Sequence, residues 1–240
     1  MTRVGLISDL HGNAVALRAV LGDLRDVDRI VCLGDCATLG PHPREVLAML
    51  RDAGIPCVLG NHDDFLLDPA LVTTYTQAPI IVEAVAWCAA ELGADDLAFV
   101  RTFVAGMTID LDGATLALFH GSPRSHMEDL LATTPDDALD EALGELRATV
   151  MAGGHTHLPM LRQHRGALLV NPGSVGMPFE RHVAGRAPTV LDHAEYAIVE
   201  GARGHVSVTL RRVALDRAAL RAANAAVAHP LRDQLARHYA

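Results

Sequence analysis

The sequence predicts an α/β (α+β) fold, a four-layer sandwich in which two mixed β-sheets are flanked by α-helices. Three observations lead there. Residues 3–59 alternate short apolar runs with amphipathic segments in the order β-α-β-α-β. Such short-linked alternation builds parallel strands covered by helices. A mostly helical stretch follows over residues 64–104, and then a series of short strand-like runs with hairpin turns. The chain has 240 residues, half of them apolar, enough to bury a sizeable core.

Taken in order, residues 3–8 form a short apolar run closed by a turn, hence a strand. Residues 13–24 carry Val15, Leu17, Val20, Leu21 and Leu24 at near-helical spacing. Residues 29–33 are a second strand. Residues 43–53 are a helix opened by Pro43 and closed by Gly54. Residues 55–59 are a third strand. Within the helical stretch, 78–92 aligns Ile80, Ile81, Ala84, Val85, Cys88 and Leu92, and 95–103 leads Leu97, Val100, Phe103 and Val104. Both stripes are expected to face the core. Asp112-Gly113 between residues 107–111 and 115–120 signals a hairpin. Thr134 is expected to cap a helix starting at Pro135, with Asp137 as its acidic partner. Residues 149–152, 158–163 and 168–170 are strands, with Arg165-Gly166 as a turn. Residues 195–199 and 206–213, joined by a turn at 201–204, are expected to close the second sheet. Residues 216–238, Ala-rich and amphipathic, predict a helix packed on the outside or against a partner subunit. No repeat or linker interrupts the chain. One domain over residues 1–240 is therefore expected, with a helical extension from about 214.

Composition excludes some functions. The net charge is −9, all twenty basic residues are Arg, and they form no run. That balance argues against gripping a nucleic-acid backbone by electrostatics. No apolar run approaches the roughly 18–20 residues that cross a bilayer. The opening MTRVGLISDLHG is a poor secretory signal. A cytoplasmic protein with reduced thiols is the expectation. Cys32, Cys36, Cys57 and Cys88 show no CxxC spacing, so neither a zinc knuckle nor a thioredoxin-like site is indicated. Cys32 and Cys57 read as small core residues.

The residues that carry chemistry fall just after predicted strands. Asp9-Leu10-His11 follows the first, Gly34-Asp35 the second and Gly60-Asn61-His62-Asp63 the third. Phe119-His120-Gly121 ends a later strand, and Gly153-Gly154-His155-Thr156-His157 follows another. Loops at the carboxyl ends of strands are where α/β sheets build sites. Carboxylate, imidazole and amide oxygen together suit borderline divalent ions such as Mn, Fe, Co, Ni or Zn. Each D-x-H and H-x-H step is expected to present two donors from one extended turn. Flanking glycines let backbones crowd around an ion. Any one of these pieces is common, and the ordered set carries the specificity.

That ordered set resembles the calcineurin-like metallophosphoesterase superfamily, in particular its small bacterial, phosphodiesterase-like members. Gly34-Asp35 is followed by Leu39-Gly40-Pro41-His42-Pro43, His120 by Gly121-Ser122-Pro123, and the H-x-H step by Asn171-Pro172-Gly173-Ser174-Val175-Gly176. The resemblance covers roughly residues 1–213. It implies two divalent metal ions per chain (Mn, Fe, Ni, Co or Zn). Asp9, His11 and His157 would hold one, Asn61, His120 and His155 the other, and Asp35 would bridge them. His62 would not ligate but would stand beside the substrate phosphate as general acid, near Asn61. Ions about 3.5–4 Å apart share a hydroxide as nucleophile. Two divalent ions less Asp9, Asp35 and that hydroxide leave about +1 locally, so an acidic protein still attracts phosphate there. Cys36-Ala37-Thr38 departs from relatives, which often carry other small or apolar residues.

The implied activity is hydrolysis of a small phosphate ester, diesters ahead of monoesters. The rival reading is a scaffold of the same fold that binds partner proteins; the complete ligand set argues against it. Arg124 reads either as a second phosphate contact or as a solvated loop arginine. Asp63 either orients His62 or caps the helix it opens. Asn171–Ser174 is expected to shape the loop beneath the H-x-H step. His42, His126 and His182 are candidates for the rim, while His164, His193, His205, His229 and His238 read as surface or structural. A homo-oligomer is compatible with the amphipathic tail.

Overall fold

The computed structural model describes residues 1–183 and 185–239. Strand β1 (Thr2–Ile7) runs into the buried Ser8-Asp9. Helix α1 (Ala14–Asp23) is capped by Asn13, whose side-chain oxygen accepts the Ala16 N–H. Strand β2 (Arg29–Cys32) lies parallel to β1, with Val4 opposite Arg29. Helix α2 (Pro43–Asp52) has proline in its first turn and stops where Gly54 takes φ +62°. The helical stretch contains α3 (Asn61–Leu67), a 3₁₀ turn at Pro69–Leu71, α4 (Val72–Tyr75), α5 (Pro79–Glu91) and α6 (Ala94–Val100).

Strands β3 (Met107–Asp110) and β4 (Thr115–Leu118) form the hairpin that Asp112-Gly113 announces, both turn residues at positive φ. Helix α7 (Asp136–Leu143) precedes β5 (Val150–Ala152), β6 (Met160–His164) and β7 (Ala167–Asn171). Strands β8 (His193–Ala202) and β9 (His205–Ala214) lead to α8 (Arg217–Ala226) and α9 (Arg232–His238).

The strands make two mixed sheets, ordered β2-β1-β8-β9 and β3-β4-β5-β7-β6. The layer between them holds Val4, Leu6, Val31 and Val199 from the first and Leu116, Leu118, Val150 and Val170 from the second. On the outer side of the first sheet, Ile7, Cys32, Tyr196 and Ile198 pack on Leu17, Val20, Val46 and Leu50 of α1 and α2. On the outer side of the second, Met151 and Leu169 pack on Leu139 and Leu143 of α7. This is the helix–sheet–sheet–helix layering that the sequence predicts.

Five details differ from the sequence expectation. The third strand is reduced to two bridges, Cys32–Cys57 and Val58–Val104, because Pro56 lacks an N–H and breaks the ladder. Strands β8 and β9 join the first sheet, with β8 antiparallel to β1. Strand β8 is apolar on both faces, Ala194, Tyr196 and Ile198 on one and Ala197 and Val199 on the other, which suits an interior strand. The Thr134 hydroxyl accepts the Leu131 N–H, and Pro135 occupies the cap of α7. Val104 is 43 % exposed and Ile80 38 %, at the margins of their stripes. The tail is two helices, interrupted around His229-Pro230, since a residue before proline avoids helical ψ. Leu220, Leu231, Leu235 and Tyr239 of this tail bury against Leu39, Phe65, Val85 and Met177.

Candidate metal centre

The loops that leave β1, β2, β4 and β5, with the start of α3, converge at one end of the sheets. Hydrogen bonds between loops fix them: Asp9 N–H to Gly34 O at 2.9 Å, His11 N–H to Asp35 O at 3.0 Å, Gly154 N–H to His120 O at 2.7 Å and Gly176 N–H to Asp9 O at 3.0 Å. Glycine is obligatory where these backbones touch. A Cβ on Gly60 would lie 2.1 Å from Asp35 Oδ1, and one on Gly154 2.7 Å from Asp9 Oδ2. The D-x-H and H-x-H steps are not extended. Asp9, His11, Asp35, His155 and His157 all have positive φ, between 41° and 67°, so each side chain leaves a tight left-handed bend.

The donor atoms form two groups. In Asp9, His11 and His157 they lie within 4.8 Å of one another, and so do those of Asp35, His120 and His155. Asp35 stands between the groups: its Oδ2 is 3.9 Å from His11 Nε2 and 3.3 Å from His120 Nε2, while Oδ1 accepts the His62 N–H at 2.8 Å. Asp9, Asp35, Asn61 and His120 are almost wholly buried.

Several features of this chain fit divalent ions. Imidazole Nδ1–H groups are tied outward, His120 to Leu33 O at 2.7 Å, His157 to Met177 O at 2.6 Å and His11 to Thr38 Oγ1 at 3.2 Å. That tautomer leaves the Nε2 lone pairs facing inward, as ligating histidines need. His11 Nε2 and His157 Nε2 then face each other at 3.0 Å, a pair that a shared proton or a bound cation satisfies. Asp9 Oδ1, His120 Nε2 and both amide atoms of Asn61 are buried without a hydrogen-bond partner. Buried polar atoms are rarely left so unless a ligand satisfies them.

The electrostatics agree for His11 and His155. Burial, with repulsion from His157, holds His11 well below the usual imidazole range. Burial and the neighbouring His120 take His155 down to about 3. These rings are neutral, the form that binds metal. His120 differs: Asp35 and Asp9 overcome burial and hold that ring up to about 10, so its Nε2 carries a proton beside Asp35 that a metal ion would have to displace.

The remaining residues fall around this centre. His62, 6 % exposed, turns Nδ1 to Thr38 Oγ1 at 2.9 Å. Asp63 does not touch His62; it accepts the N–H groups of Asp35, Cys36 and Gly60, so it ties loops together and caps α3. Arg124 does not reach the centre: its guanidinium is 46 % exposed and paired with Glu128 and Glu141. Asn171 donates to Gly154 O and Thr156 Oγ1, and Ser174 to Asp9 O, so this segment shapes the loop beneath the H-x-H step. His126 pairs with Asp64 across 3.1 Å, and His182 lies 3.9 Å from Asp129, itself 3.4 Å from His155. His42 occupies the N-cap position of α2, with no side-chain hydrogen bond to the helix.

Four neighbours have no motif to announce them. Thr38 lies between His11 and His62. Tyr75, 47 % exposed, sets its ring 6.0 Å from that of His62 and 6.1 Å from that of His155. Phe179 stacks on His157 at 4.1 Å, and Asp129 closes the His155 side. The scarcity of aromatics, 4 % of the chain, was the one available signal for Tyr75 and Phe179.

A two-sheet α/β sandwich with an Asp/His cluster at its strand ends is the architecture of a candidate metal-binding protein. The pattern of the calcineurin-like phosphoesterase superfamily domain matches residues 2–198, and the chain belongs to that superfamily. A relative from Methanocaldococcus jannaschii, "Uncharacterized protein MJ0912", is 29 % identical over 194 residues, 73 % of this chain and 76 % of the relative. The metallophosphoesterase of Sphaerobacter thermophilus superposes with a TM-score of 0.74 at 28 % identity, covering 99 % of each chain. The hypothetical protein PH1004 of Pyrococcus horikoshii OT3 gives a TM-score of 0.82 at 17 % identity, covering 99 % of this chain and 97 % of that one; it is a likeness of fold. No described helix is long and apolar enough to cross a membrane.

Proposed function

We propose that the chain is a dinuclear-metal phosphoesterase that prefers diesters, acting on a small phosphate ester. The observation that carries this reading is the convergence of inward-facing Nε2 lone pairs and unpartnered buried donors on the carboxylate of Asp35. Asp9, His11 and His157 would hold one ion, Asn61, His120 and His155 the other, and Asp35 both. When bound, the ions supply Lewis acidity toward phosphoryl oxygens and make water nucleophilic near neutral pH.

The chain's own groups have distinct tasks. Thr38 offers a single hydroxyl hydrogen to two imidazoles. His11, ligating through Nε2, keeps its hydrogen on Nδ1 and donates it to Thr38 Oγ1. The Thr38 hydroxyl hydrogen then goes to His62 Nδ1, and His62 holds its own proton on Nε2. His62 thereby presents Nε2–H to the departing oxygen; when it takes up a second proton at Nδ1, Thr38 Oγ1 accepts from both rings and the imidazolium can give its Nε2 proton to that oxygen and return to the neutral form. Tyr75 and Phe179 wall the two sides and limit water around the ester. With Arg124 committed to Glu128 and Glu141, and with Asp64 and Asp129 at the rim, the surroundings favour a singly charged diester over a doubly charged monoester.

The test is to load the protein with Mn or Ni and assay bis-p-nitrophenyl phosphate, p-nitrophenyl phosphate and cyclic nucleotides side by side. Metal-dependent turnover is expected, faster on the diesters. Two bound ions without turnover of any ester would sink the enzyme reading and leave the scaffold. Faster turnover of the monoester would sink the diester preference alone.

A further inference from the structure

A second donor cluster lies one layer beneath the metal centre. Cys32 ends β2, Cys36 follows Asp35, and Cys57 lies on the bridged segment beside β2. Their sulfur atoms all lie within 4.8 Å of one another, Cys32 and Cys36 at 3.6 Å. Cys32 and Cys36 are wholly buried and Cys57 is 5 % exposed, among apolar groups of the outer layer. The donors are all sulfur. Thiolates without carboxylate or imidazole select soft ions, monovalent copper foremost. Three thiolates about 2.3 Å from a central ion stand about 4 Å apart, close to the spacing here.

We propose that Cys32, Cys36 and Cys57 form a separate, three-coordinate thiolate site for a soft d10 cation of the monovalent-copper class. Each thiol that ligates exchanges its S–H bond for an S–metal bond and releases its proton to solvent. The Cys57 thiol donates to Ile55 O at 3.5 Å. The ion itself must draw off the three thiol protons. Entry needs a local opening. Residues 55–59 join β2 through two backbone hydrogen bonds, Cys32 N–H to Pro56 O and Val58 N–H to Cys32 O, and join Val104 through two more, Leu59 N–H to Val104 O and Val104 N–H to Cys57 O. Segments held by few such bonds open more readily than central strands. Cys88 stands apart with its thiol toward Gly40 O, and serves as an internal control.

The experiment uses the full chain, reduced and anaerobic, with monovalent copper supplied as its acetonitrile complex against a copper(I) chelator. Copper per chain after gel filtration and the thiolate-to-copper ultraviolet absorption are read, both for the native protein and after refolding with copper present. One copper per chain is expected in the parent, Cys88→Ser and His155→Asn. The last of these separates this site from the phosphoesterase centre. Copper and absorption should be lost in Cys57→Ser and Cys36→Ser, each shown to be folded by circular dichroism. No retained copper by either route, or undiminished copper in Cys57→Ser, would overturn the proposal.

Discussion

At one end of the two sheets lie the hairpin turns Asp112-Gly113, Arg165-Gly166 and Arg203-Gly204; at the other lie the loops bearing Asp9, His11, Asp35, His155 and His157. Both ends use the left-handed backbone conformation, which costs a non-glycine residue about 1–2 kcal/mol. In each hairpin the residue at positive φ is followed by glycine, also at positive φ, and the pair forms the turn whose twist matches the strands. The bend there is satisfied locally. At the other end, large functional side chains adopt it, and hydrogen bonds between loops far apart in sequence hold them there. Strain set by a turn is a matter of connection. Strain held by neighbours aims donors at a point, the arrangement expected of functional sites.

This contrast can be broken or sharpened by substitution. The largest effect belongs to Asp35→Asn. Metal analysis should show loss of at least one ion per chain, and activity should fall on the order of 10³-fold, the upper scale for removing one stabilising group from an active site. Full occupancy with normal turnover would end the two-metal reading. His62→Asn should keep both ions and lose about 10²-fold or more on esters with poor leaving groups, and much less on nitrophenyl esters. Equal losses on both would make His62 a phosphate-positioning residue.

Thr38→Val removes the shared hydroxyl without changing shape. It should lower kcat on poor leaving groups about tenfold, the low end for groups that orient a ligand, and Thr38→Ser should restore it. An unchanged kcat in Thr38→Val would disprove the role of that hydroxyl in orienting His62. The glycines test the two ends directly. A Cβ on Gly34 would meet Gly60 N at 2.6 Å and His120 Nδ1 at 2.9 Å, whereas one on Gly166 meets nothing within 4 Å. Denaturant titration should give a loss of roughly 3 kcal/mol for Gly34→Ala, with weakened metal binding, and about 1 kcal/mol for Gly166→Ala, with none. The smallest effect is Arg203→Gly, expected within about 1 kcal/mol of the parent, since relief of the bend and the added chain entropy of glycine oppose each other.

Much of this was legible in the sequence because it depends on residue type and spacing. The hairpins at Asp112-Gly113 and Arg165-Gly166 need glycine, and the donor set needs His and Asp after strands. The pairing of β8 with β1 was not legible, because two apolar faces announce an interior strand without naming its neighbour. The third strand failed on Pro56, whose missing N–H was visible but was outweighed by its apolar neighbours. Thr38 and Tyr75 reach the centre by tertiary packing, and Arg124 leaves it for Glu128 and Glu141, choices that periodicity does not encode. The left-handed bends at Asp9 and His155 contradict the extended reading of D-x-H and H-x-H for the same reason: contacts with other loops impose them.

The position of β1 also sets a timetable. This strand bears the loop of Asp9 and His11, and it is flanked by β2 on one side and β8 on the other, with Val4 opposite Val199. A ribosome adding about 5–20 residues per second makes the two partners roughly 10–30 seconds apart. Until β8 emerges, β1 has an unpaired edge, an invitation to association with other chains. The loop carrying Ser174, whose hydroxyl donates to Asp9 O, is also still unmade. The first donors synthesised are therefore among the last to be locked in place, and a metal ion that binds the nascent chain early meets an incomplete set.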